Sequence, residues 1–245
     1  MTSRLVLAIG DLFVPDRTPD IPAKFKKLLT PGKIGQILCL GNLTDRDTFE
    51  FLRQIAPDLQ LVKGDFDVDS PNLPLSKVVT HGSLRIGFTH GHTIIPPGDA
   101  DSLLIAARQM DVDVLLWGGT HKFEAYELEG RFFINPGSAT GAFTTLGGLE
   151  EEHTPSFCLM DVQGDVLVLY VYQLRKDEQG AETVSVEKVS FSRKHVGERF
   201  VDLAKFIAED TSHRNRHWSM RTIRTLSIAD HPPNWETCPP GNLHS

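Results

Sequence analysis

Short apolar runs that each end in a polar side chain recur along the first half of the chain. The runs are LVLAIGD, QILCLGN, LQLVKGD, LRIGFTHGH and DVLLWGGTH, and the polar residues that end them are Asp11, Asn42, Asp65, His90, His92 and His121. Continuous apolar runs are typical of buried strands, and open α/β sheets place ligand sites beyond the carboxyl ends of their strands. We therefore expect these polar side chains to gather at one edge of the protein.

The remaining apolar residues predict helices early in the chain and hairpins later. Pro22 begins one predicted helix, and Thr44 and Asp47 stand in capping-box spacing before a second. A third predicted helix follows Asp99. From residue 123 onward apolar residues alternate between short turns, which predicts antiparallel pairs. This order indicates an α/β protein in which two packed β-sheets are flanked by helices.

The pattern changes near Lys194, and this change divides the chain into a domain and an extension. Residues 1–196 contain all the predicted strands and form the predicted domain. Residues 197–245 lack a sustained period and end in a proline-rich stretch, so they are predicted to be a largely disordered C-terminal extension. Within it, Phe200, Leu203 and Ile207 are spaced for one short amphipathic helix.

Composition excludes several classes of partner and points to a reducing compartment. The formal net charge of −7 argues against broad binding to nucleic acid or to an anionic membrane surface. No apolar stretch is long enough to insert into a bilayer. The cysteines Cys39, Cys158 and Cys238 are widely spaced, which predicts neither a disulfide framework nor a metal knot. We expect a cytoplasmic protein.

The order of the polar residues resembles the motif pattern of the calcineurin-like metallophosphoesterases. That pattern runs Asp-x-His, Gly-Asp-x-x-Asp, Gly-Asn-His-Asp/Glu, Gly-His and Gly-His-x-His, and it holds two divalent ions about 3.5–4 Å apart that clamp a phosphate and polarise a water. The resemblance assigns a metal-ligand set to five residues of this chain, which are Asp11, Asn42, Asp65, His90 and His121.

Four positions depart from that pattern. Phe13 stands where the first motif has histidine, and Gly119 stands where the last pair begins with histidine. Asn42 replaces the bridging aspartate, and Phe66 replaces the histidine that protonates the leaving group. Because an amide is a poorer ligand than a carboxylate, and Phe and Gly supply no ligand, we predict a vestigial site. It requires no cofactor, binds zinc or manganese weakly at most, and has no catalytic residue.

Longer strings resemble one family within this superfamily, the phosphoesterase-fold subunits of the retromer, an endosomal coat. The strings include PAKFKKLL, GDFD, DVDVL, THKFEA and FINPGSATGA, and the similarity extends over residues 4–191. The resemblance implies a calcineurin-like αββα sandwich that acts as a non-catalytic scaffold in retrograde transport from endosomes to the Golgi and plasma membrane. Such a subunit is recruited from the cytoplasm to the endosome membrane through its partners.

The same resemblance implies two protein-binding faces. The former catalytic rim docks onto the large α-solenoid subunit of the retromer through Ile94, Ile95 and Pro96. An opposite apolar patch receives Pro-Leu loops from regulators of small GTPases, and its residues are Leu5, Leu28, Leu29, Leu159, Tyr170, Tyr172 and Val186. Periodicity alone leaves two alternatives open. Ile94 and Ile95 could turn inward, and a helix could lie over the patch.

Two other functions remain open at this point. The carboxylates and histidines could support a weak metal-dependent phosphodiesterase or phosphatase with a reduced ligand set, with Asn135 helping. The same residues could also form a module that binds a phosphate or a nucleotide without cleaving it.

Overall fold

The computed structural model describes residues 4–144, 153–176 and 179–193. The predicted C-terminal extension therefore lies outside the described residues. The described part of the chain contains the strands β1 (Arg4–Ile9), β2 (Ile34–Cys39), β3 (Leu59–Leu61), β4 (Ser76–His81), β5 (Leu84–Thr89), β6 (Val114–Leu116), β7 (Phe123–Leu128), β8 (Arg131–Pro136), β9 (Ser156–Gln163), β10 (Val166–Lys176) and β11 (Glu182–Ser192). It also contains the helices α1 (Ala23–Leu28), α2 (Arg46–Ile55) and α3 (Ala100–Gln109).

These strands form two sheets of mixed direction. The first sheet has the order β11-β10-β9-β1-β2-β3, and the second has the order β4-β5-β6-β8-β7. The pairs β1–β2 and β2–β3 are parallel in the first sheet, as are β5–β6 and β6–β8 in the second. The later strands β9, β10 and β11 are joined as an antiparallel meander. The predicted change from βα units to hairpins is therefore confirmed.

The two sheets and the helices on their outer faces form four layers, and three apolar clusters lie between these layers. The first cluster lies between the sheets and includes Val6, Phe88 and Leu169. The second packs α1 and α2 against the outer face of the six-stranded sheet, and the third packs α3 against the outer face of the five-stranded sheet. Strands such as β1 and β6 are apolar on both sides because both of their faces are covered. The αββα sandwich that the resemblance implied is confirmed.

The start of α2 differs from the sequence prediction. The N-cap is Asp45, whose Oδ2 accepts a hydrogen bond from the backbone N–H of Thr48 at 2.8 Å. The Thr44 hydroxyl instead donates to the carbonyl of Val14 at 2.7 Å. The capping box predicted from Thr44 and Asp47 is therefore wrong by one residue, because Thr44 is used to hold the neighbouring loop.

The topology places the ends of the parallel strands beside one another. Asp11 follows β1, Asn42 follows β2 and Asp65 follows β3 in one sheet. His90 follows β5 and His121 follows β6 in the other. Since the two sheets pack face to face, both sets of side chains meet at one edge of the sandwich. None of the described helices combines the length and hydrophobicity that crossing a bilayer requires.

Candidate functional site

Four of the predicted ligand residues converge at this edge. Asp11, Asn42 and His90 are buried, whereas Asp65 keeps about half of its side chain in contact with solvent. The Nε2 atom of His90 lies 3.0 Å from Asp11 Oδ1 and 3.5 Å from Asp65 Oδ1. His121 is more distant, with its Nε2 atom 4.0 Å from Asp11 Oδ1. The sequence prediction that these side chains gather is therefore correct.

The amide nitrogen of Asn42 occupies the centre of this cluster. Its Nδ2 atom donates to Asp65 Oδ1 at 3.0 Å and lies 3.4 Å from Asp11 Oδ1 and 2.9 Å from His90 Nε2. The amide oxygen cannot take this place, because it accepts the backbone N–H of Phe66 at 3.0 Å. The cluster is thus closed by a hydrogen-bond donor at the point where ligand atoms of a cation would converge.

Backbone geometry at the strand ends aims these side chains. Asp11, Asn42 and His121 have left-handed φ values of 51°, 56° and 59°. Asp, Asn and His are among the side chains that adopt this region most readily, so their presence after each strand serves the turn as well as the cluster. Non-glycine residues in this region cost of order 1–3 kcal/mol each, and they concentrate at functional sites.

Charge attraction within the cluster shifts two pKa values in opposite directions. Burial disfavours the charged forms of Asp11 and His90, but their mutual hydrogen bond and charge attraction outweigh it. The pKa of Asp11 is therefore lowered and the pKa of His90 is raised. Burial and the positive charge of His90 lower the pKa of His92. Asp11 and His90 thus form a buried hydrogen-bonded pair in which the charged form of each residue favours the charged form of the other.

Three further groups fix the position of Asp11 and Asn42. The backbone N–H of Gly119 donates to Asp11 Oδ2 at 2.8 Å, and the Ser138 hydroxyl donates to the Asp11 carbonyl at 2.7 Å. The Asp67 carboxylate accepts the backbone N–H groups of Asn42 at 2.8 Å and Gly64 at 2.7 Å. Sequence reasoning gave neither Asp67 nor Ser138 a role in the site. The only sequence signal was that both lie within glycine-containing turns after strands.

An aromatic and cationic cluster stands beside these polar groups. Phe13 is buried, and its ring centroid lies 5.2 Å from those of Phe66 and His121. The Arg17 guanidinium carbon lies 3.8 Å from the centroid of Phe13, 4.7 Å from that of Phe66 and 4.9 Å from that of Phe143. Arg17 Nη1 also donates to the Phe143 carbonyl at 2.7 Å. Sequence reasoning missed Arg17 and Phe143.

These residues do not fit a paired-metal centre. Phe13 places a buried ring, and Gly119 a backbone N–H, where the superfamily pattern has histidine ligands. Asn42 presents its amide nitrogen, which is not a metal ligand, to the carboxylates. Within residues 4–144, 153–176 and 179–193, no group of three or more His, Cys, Asp or Glu side chains is arranged to hold a metal ion. Asn135, predicted to help, instead donates to Thr120 and accepts from the Gly137 N–H.

An exposed aliphatic loop borders the cleft. The cleft has a volume of about 290 Å³ and is lined by Phe13, Arg17, Asp65, His90, His92, Pro97, His121 and Thr144 among others. Ile95 projects beside it with 79% of its surface exposed, and Pro96 is also exposed. Ile94 differs from the prediction, because it is partly buried against the cluster beneath α3. Of the three predicted rim residues, Ile95 and Pro96 are therefore available to a partner.

The opposite side of the protein carries a second apolar surface, which we call the tyrosine face and define as Leu28, Leu159, Tyr170, Tyr172 and Val186. In the sheet register Tyr172 pairs with Val186, and Tyr170 pairs with Leu159. The Phe25 ring of α1 packs on Phe157, on which the Tyr172 ring stacks, and Leu159 and Tyr172 are partly buried against the same cluster. Leu28 and Val186 stay 46% and 52% exposed.

Two of the residues predicted for this patch contribute differently. Leu29 is a correction, because it is only 2% exposed and packs in the core cluster with Phe25. The six-residue α1 turns only one of its two C-terminal leucines outward, and this is Leu28. Leu5 is half-buried and packs against the same cluster. The tyrosine face therefore combines two exposed residues, Leu28 and Val186, with the half-buried Leu159, Tyr170 and Tyr172, and Leu5 borders it.

The fold and the gathered strand ends define a class of protein. A family model for the calcineurin-like phosphoesterase superfamily domain matches residues 5–165. This range contains β2 through β9 and all of β1 except Arg4, together with all five residues of the predicted ligand set. The chain thus has the domain of a calcineurin-like phosphoesterase, with the altered site described above.

Individual relatives narrow this class. Vacuolar protein sorting-associated protein 29 (Vps29) of Schizosaccharomyces pombe is 51% identical over 191 residues, which cover 77% of this chain and 98% of that protein. A structure of Chaetomium thermophilum Vps29 complexed with a cyclic peptide has 59% identity and a TM-score of 0.71, covering 79% of this chain and 99% of that one. A zinc complex of Entamoeba histolytica Vps29 has 42% identity and a TM-score of 0.69, covering 77% and 99%. The chain belongs to the Vps29 family.

Proposed function

We propose that the chain is a non-catalytic scaffold subunit of the retromer, acting in retrograde transport from endosomes to the Golgi and plasma membrane. Membership of the Vps29 family supports the assignment to this coat. One observation supports the proposal that the protein is not a catalyst, namely that the Asn42 amide nitrogen lies between Asp11, Asp65 and His90. Because the Asn42 amide already offsets the repulsion between the two carboxylates, no cation is needed for this purpose, and we propose that no cofactor is required.

The large α-solenoid subunit of the retromer is the proposed partner of the former catalytic rim. Ile95 at 79% exposure is a large apolar side chain that water solvates poorly, and its loop borders the cleft. Exposed aromatic groups extend the same surface, since Phe66 and Phe143 are 45% and 53% exposed. An apolar centre with a polar border is the usual arrangement of a protein–protein interface.

The test is to measure binding of the purified solenoid subunit to variants of the full chain. Ile95→Asp is expected to weaken binding about 30-fold, since burying a hot-spot side chain is worth about 2 kcal/mol. Asp65→Ala should bind as the unmodified chain does, because the carboxylate serves the vestigial cluster rather than the partner. Ile105→Asp is the matched control, since Ile105 is also an exposed isoleucine but lies on α3.

Two outcomes would contradict this proposal. One is binding of Ile95→Asp with unchanged affinity. The other is loss of binding in Asp65→Ala, which would make an intact ligand set the basis of the interaction. Isothermal titration calorimetry in the presence and absence of a chelator separates the two.

The tyrosine face is the proposed site for regulators of small GTPases that carry Pro-Leu loops. Tyrosine offers a flat apolar ring with a polar tip, and two such rings lie side by side on this face with exposed Val186 and Leu28 at its margins. We place the protein in the cytoplasm and on the endosome membrane, where these partners hold it without insertion. The structure of a Vps29 bound to a cyclic peptide shows that a relative binds a peptide ligand.

A weak metal-dependent phosphodiesterase is the second candidate. One observation favours it, which is that Asp11, Asp65, His90 and His121 still converge on the cleft. A relative from Entamoeba histolytica has been crystallised with zinc. Against it stand the Phe13 ring and the Asn42 amide, which occupy ligand positions. A weakly bound zinc or manganese ion is the most that this arrangement supports.

A further inference from the structure

The chain leaves its last strand at the edge of the sheet that carries the tyrosine face. In the six-stranded sheet β11 is the edge strand, and its final residue Ser192 pairs with Val166 of β10. Arg193 is held by Asp113 and by the carbonyl of Ser83, which lie at the five-stranded sheet. Residues 194–245 therefore begin at a fixed point at the end of the strand that contributes Val186 to the face.

We propose that residues 196–209 of this chain dock as an amphipathic helix on the tyrosine face and cover it in the absence of a partner. The proposal concerns regulation of that face by the chain's own C-terminal extension. It goes beyond the scaffold function and does not depend on the identity of the coat.

The distance to be spanned is short. Along β11, Ser192 lies four residues from Lys188, which pairs with Tyr170, and this corresponds to about 13 Å at the rise of a β-strand. From Arg193 to Val196 the chain spans up to about 10 Å when extended, and the helical residues from there to Phe200 add about 6 Å. This reach of about 16 Å is enough for the chain to turn back and place Phe200 near Tyr170.

The segment carries an apolar stripe that can pack on the tyrosine face. Val196, Phe200, Leu203 and Ile207 recur at helical spacing and form one apolar stripe, and the opposite side carries charged residues such as Asp202 and Glu209. An apolar stripe of this length matches a face whose exposed groups are aliphatic and aromatic. Such a helix is stabilised mainly by packing, because an isolated helix of this length is marginal in water.

The charges around the face favour docking only weakly. Lys27 of α1 and Lys188 of β11 are exposed at its margins, and the Lys188 ammonium lies 5.9 Å from the Tyr170 ring centroid. The segment carries three acidic side chains, Glu198, Asp202 and Glu209, and two basic ones, Arg199 and Lys205. The acidic groups lie on the side of the helix away from the apolar stripe, so their attraction to the lysines is long-range and screened by salt.

Three relatives have almost no length left for a counterpart of this segment. Three Vps29 proteins are matched over 98% or 99% of their own lengths while covering 77–79% of this chain. A tethered segment competes at a high effective concentration, of order millimolar for a short linker, so a free partner must outcompete it. Docking of the segment would make occupancy of the face conditional on partner concentration.

Limited trypsin digestion of the full chain tests this docking. Lys205 lies inside the segment and Arg216 lies beyond it, and mass spectrometry measures cleavage after each. A docked population of about 90% slows cleavage after Lys205 about tenfold, because cleavage follows the open fraction. Val186→Asp, and separately Leu203→Asp, should remove this protection. Val78→Asp is the matched control, since Val78 is an exposed strand valine of the other sheet.

Each other outcome overturns the proposal. Unchanged cleavage after Lys205 in Val186→Asp would place the segment elsewhere, and equal changes in Val186→Asp and Val78→Asp would show a general effect of charge. Protection that rises with protein concentration would identify a second copy as the occupant. If Val186→Asp weakens β11, Leu203→Asp still tests the proposal, because position 203 lies outside the folded domain described above.

Discussion

Asn42→Asp is expected to lower the free energy of unfolding by about 1–3 kcal/mol in a chelating buffer, because attraction to His90, 2.9 Å away, offsets only part of the repulsion from the two neighbouring aspartates. The new carboxylate would face Asp65 Oδ1 from 3.0 Å and Asp11 Oδ1 from 3.4 Å, where the amide nitrogen now stands. It would remove a hydrogen-bond donor and add a buried negative charge. Chemical denaturation with and without a chelator measures the loss.

A divalent cation should restore most of that stability, and only in this variant. Manganese or zinc at 100 times its dissociation constant contributes about 2.7 kcal/mol through binding to the folded state. The unmodified chain should gain much less, because its cluster is already closed by the amide. Asn135→Asp is the matched control, since Asn135 is a buried amide whose partners are Thr120 and the Gly137 N–H.

Two results would argue against this reading of Asn42. One is a variant as stable as the unmodified chain in chelator, which would mean that the amide does not offset the repulsion between the carboxylates. The other is an equal gain in stability from manganese in the unmodified chain and the variant, which would mean that the amide yields its place to a cation.

Gly64→Ala is expected to destabilise the protein by about 3 kcal/mol, the upper range for overpacking a tight site. A Cβ atom at Gly64 would lie 2.2 Å from Asn42 Oδ1 and 2.6 Å from the Asn42 backbone nitrogen. Neither group can retreat, because the first accepts the Phe66 N–H and the second donates to Asp67. Thermal unfolding followed by circular dichroism measures the change.

The control for this prediction is Gly164→Ala in the β9–β10 turn. There a Cβ atom would meet nothing within 4 Å, although the left-handed φ of 64° still costs about 1 kcal/mol. Equal losses in the two variants would mean that backbone preference, rather than contact with Asn42, decides the cost at Gly64.

The convergence of the polar side chains could be predicted from the sequence because the end of each strand is recognisable in it. An apolar run followed by glycine and a polar side chain identifies a buried strand and the residue beyond its carboxyl end, as at Asp11 and Asn42. Parallel pairing then brings such residues together without any knowledge of long-range contacts. The αββα layering followed from the change between helical and alternating periods.

The direction of the Asn42 amide could not be predicted, because it depends on the Phe66 N–H in a different loop. The same reason hid Arg17, whose aromatic partners Phe13, Phe66 and Phe143 come from three separate segments. Leu29 was misplaced for a local reason, since adjacent leucines in a short helix give no periodicity that says which one faces the core. Packing against Phe25 and its neighbours decides this.

The central claim is that this cleft is a protein-binding surface without a working dinuclear centre. The most direct measurement is the hydrolysis of bis(4-nitrophenyl) phosphate at saturating manganese, with the bound metal counted by elemental analysis on the same sample. The proposed account predicts a rate indistinguishable from that of Asp65→Ala and less than one tightly bound ion per chain. Two bound ions per chain together with turnover that is lost in Asp65→Ala would contradict it.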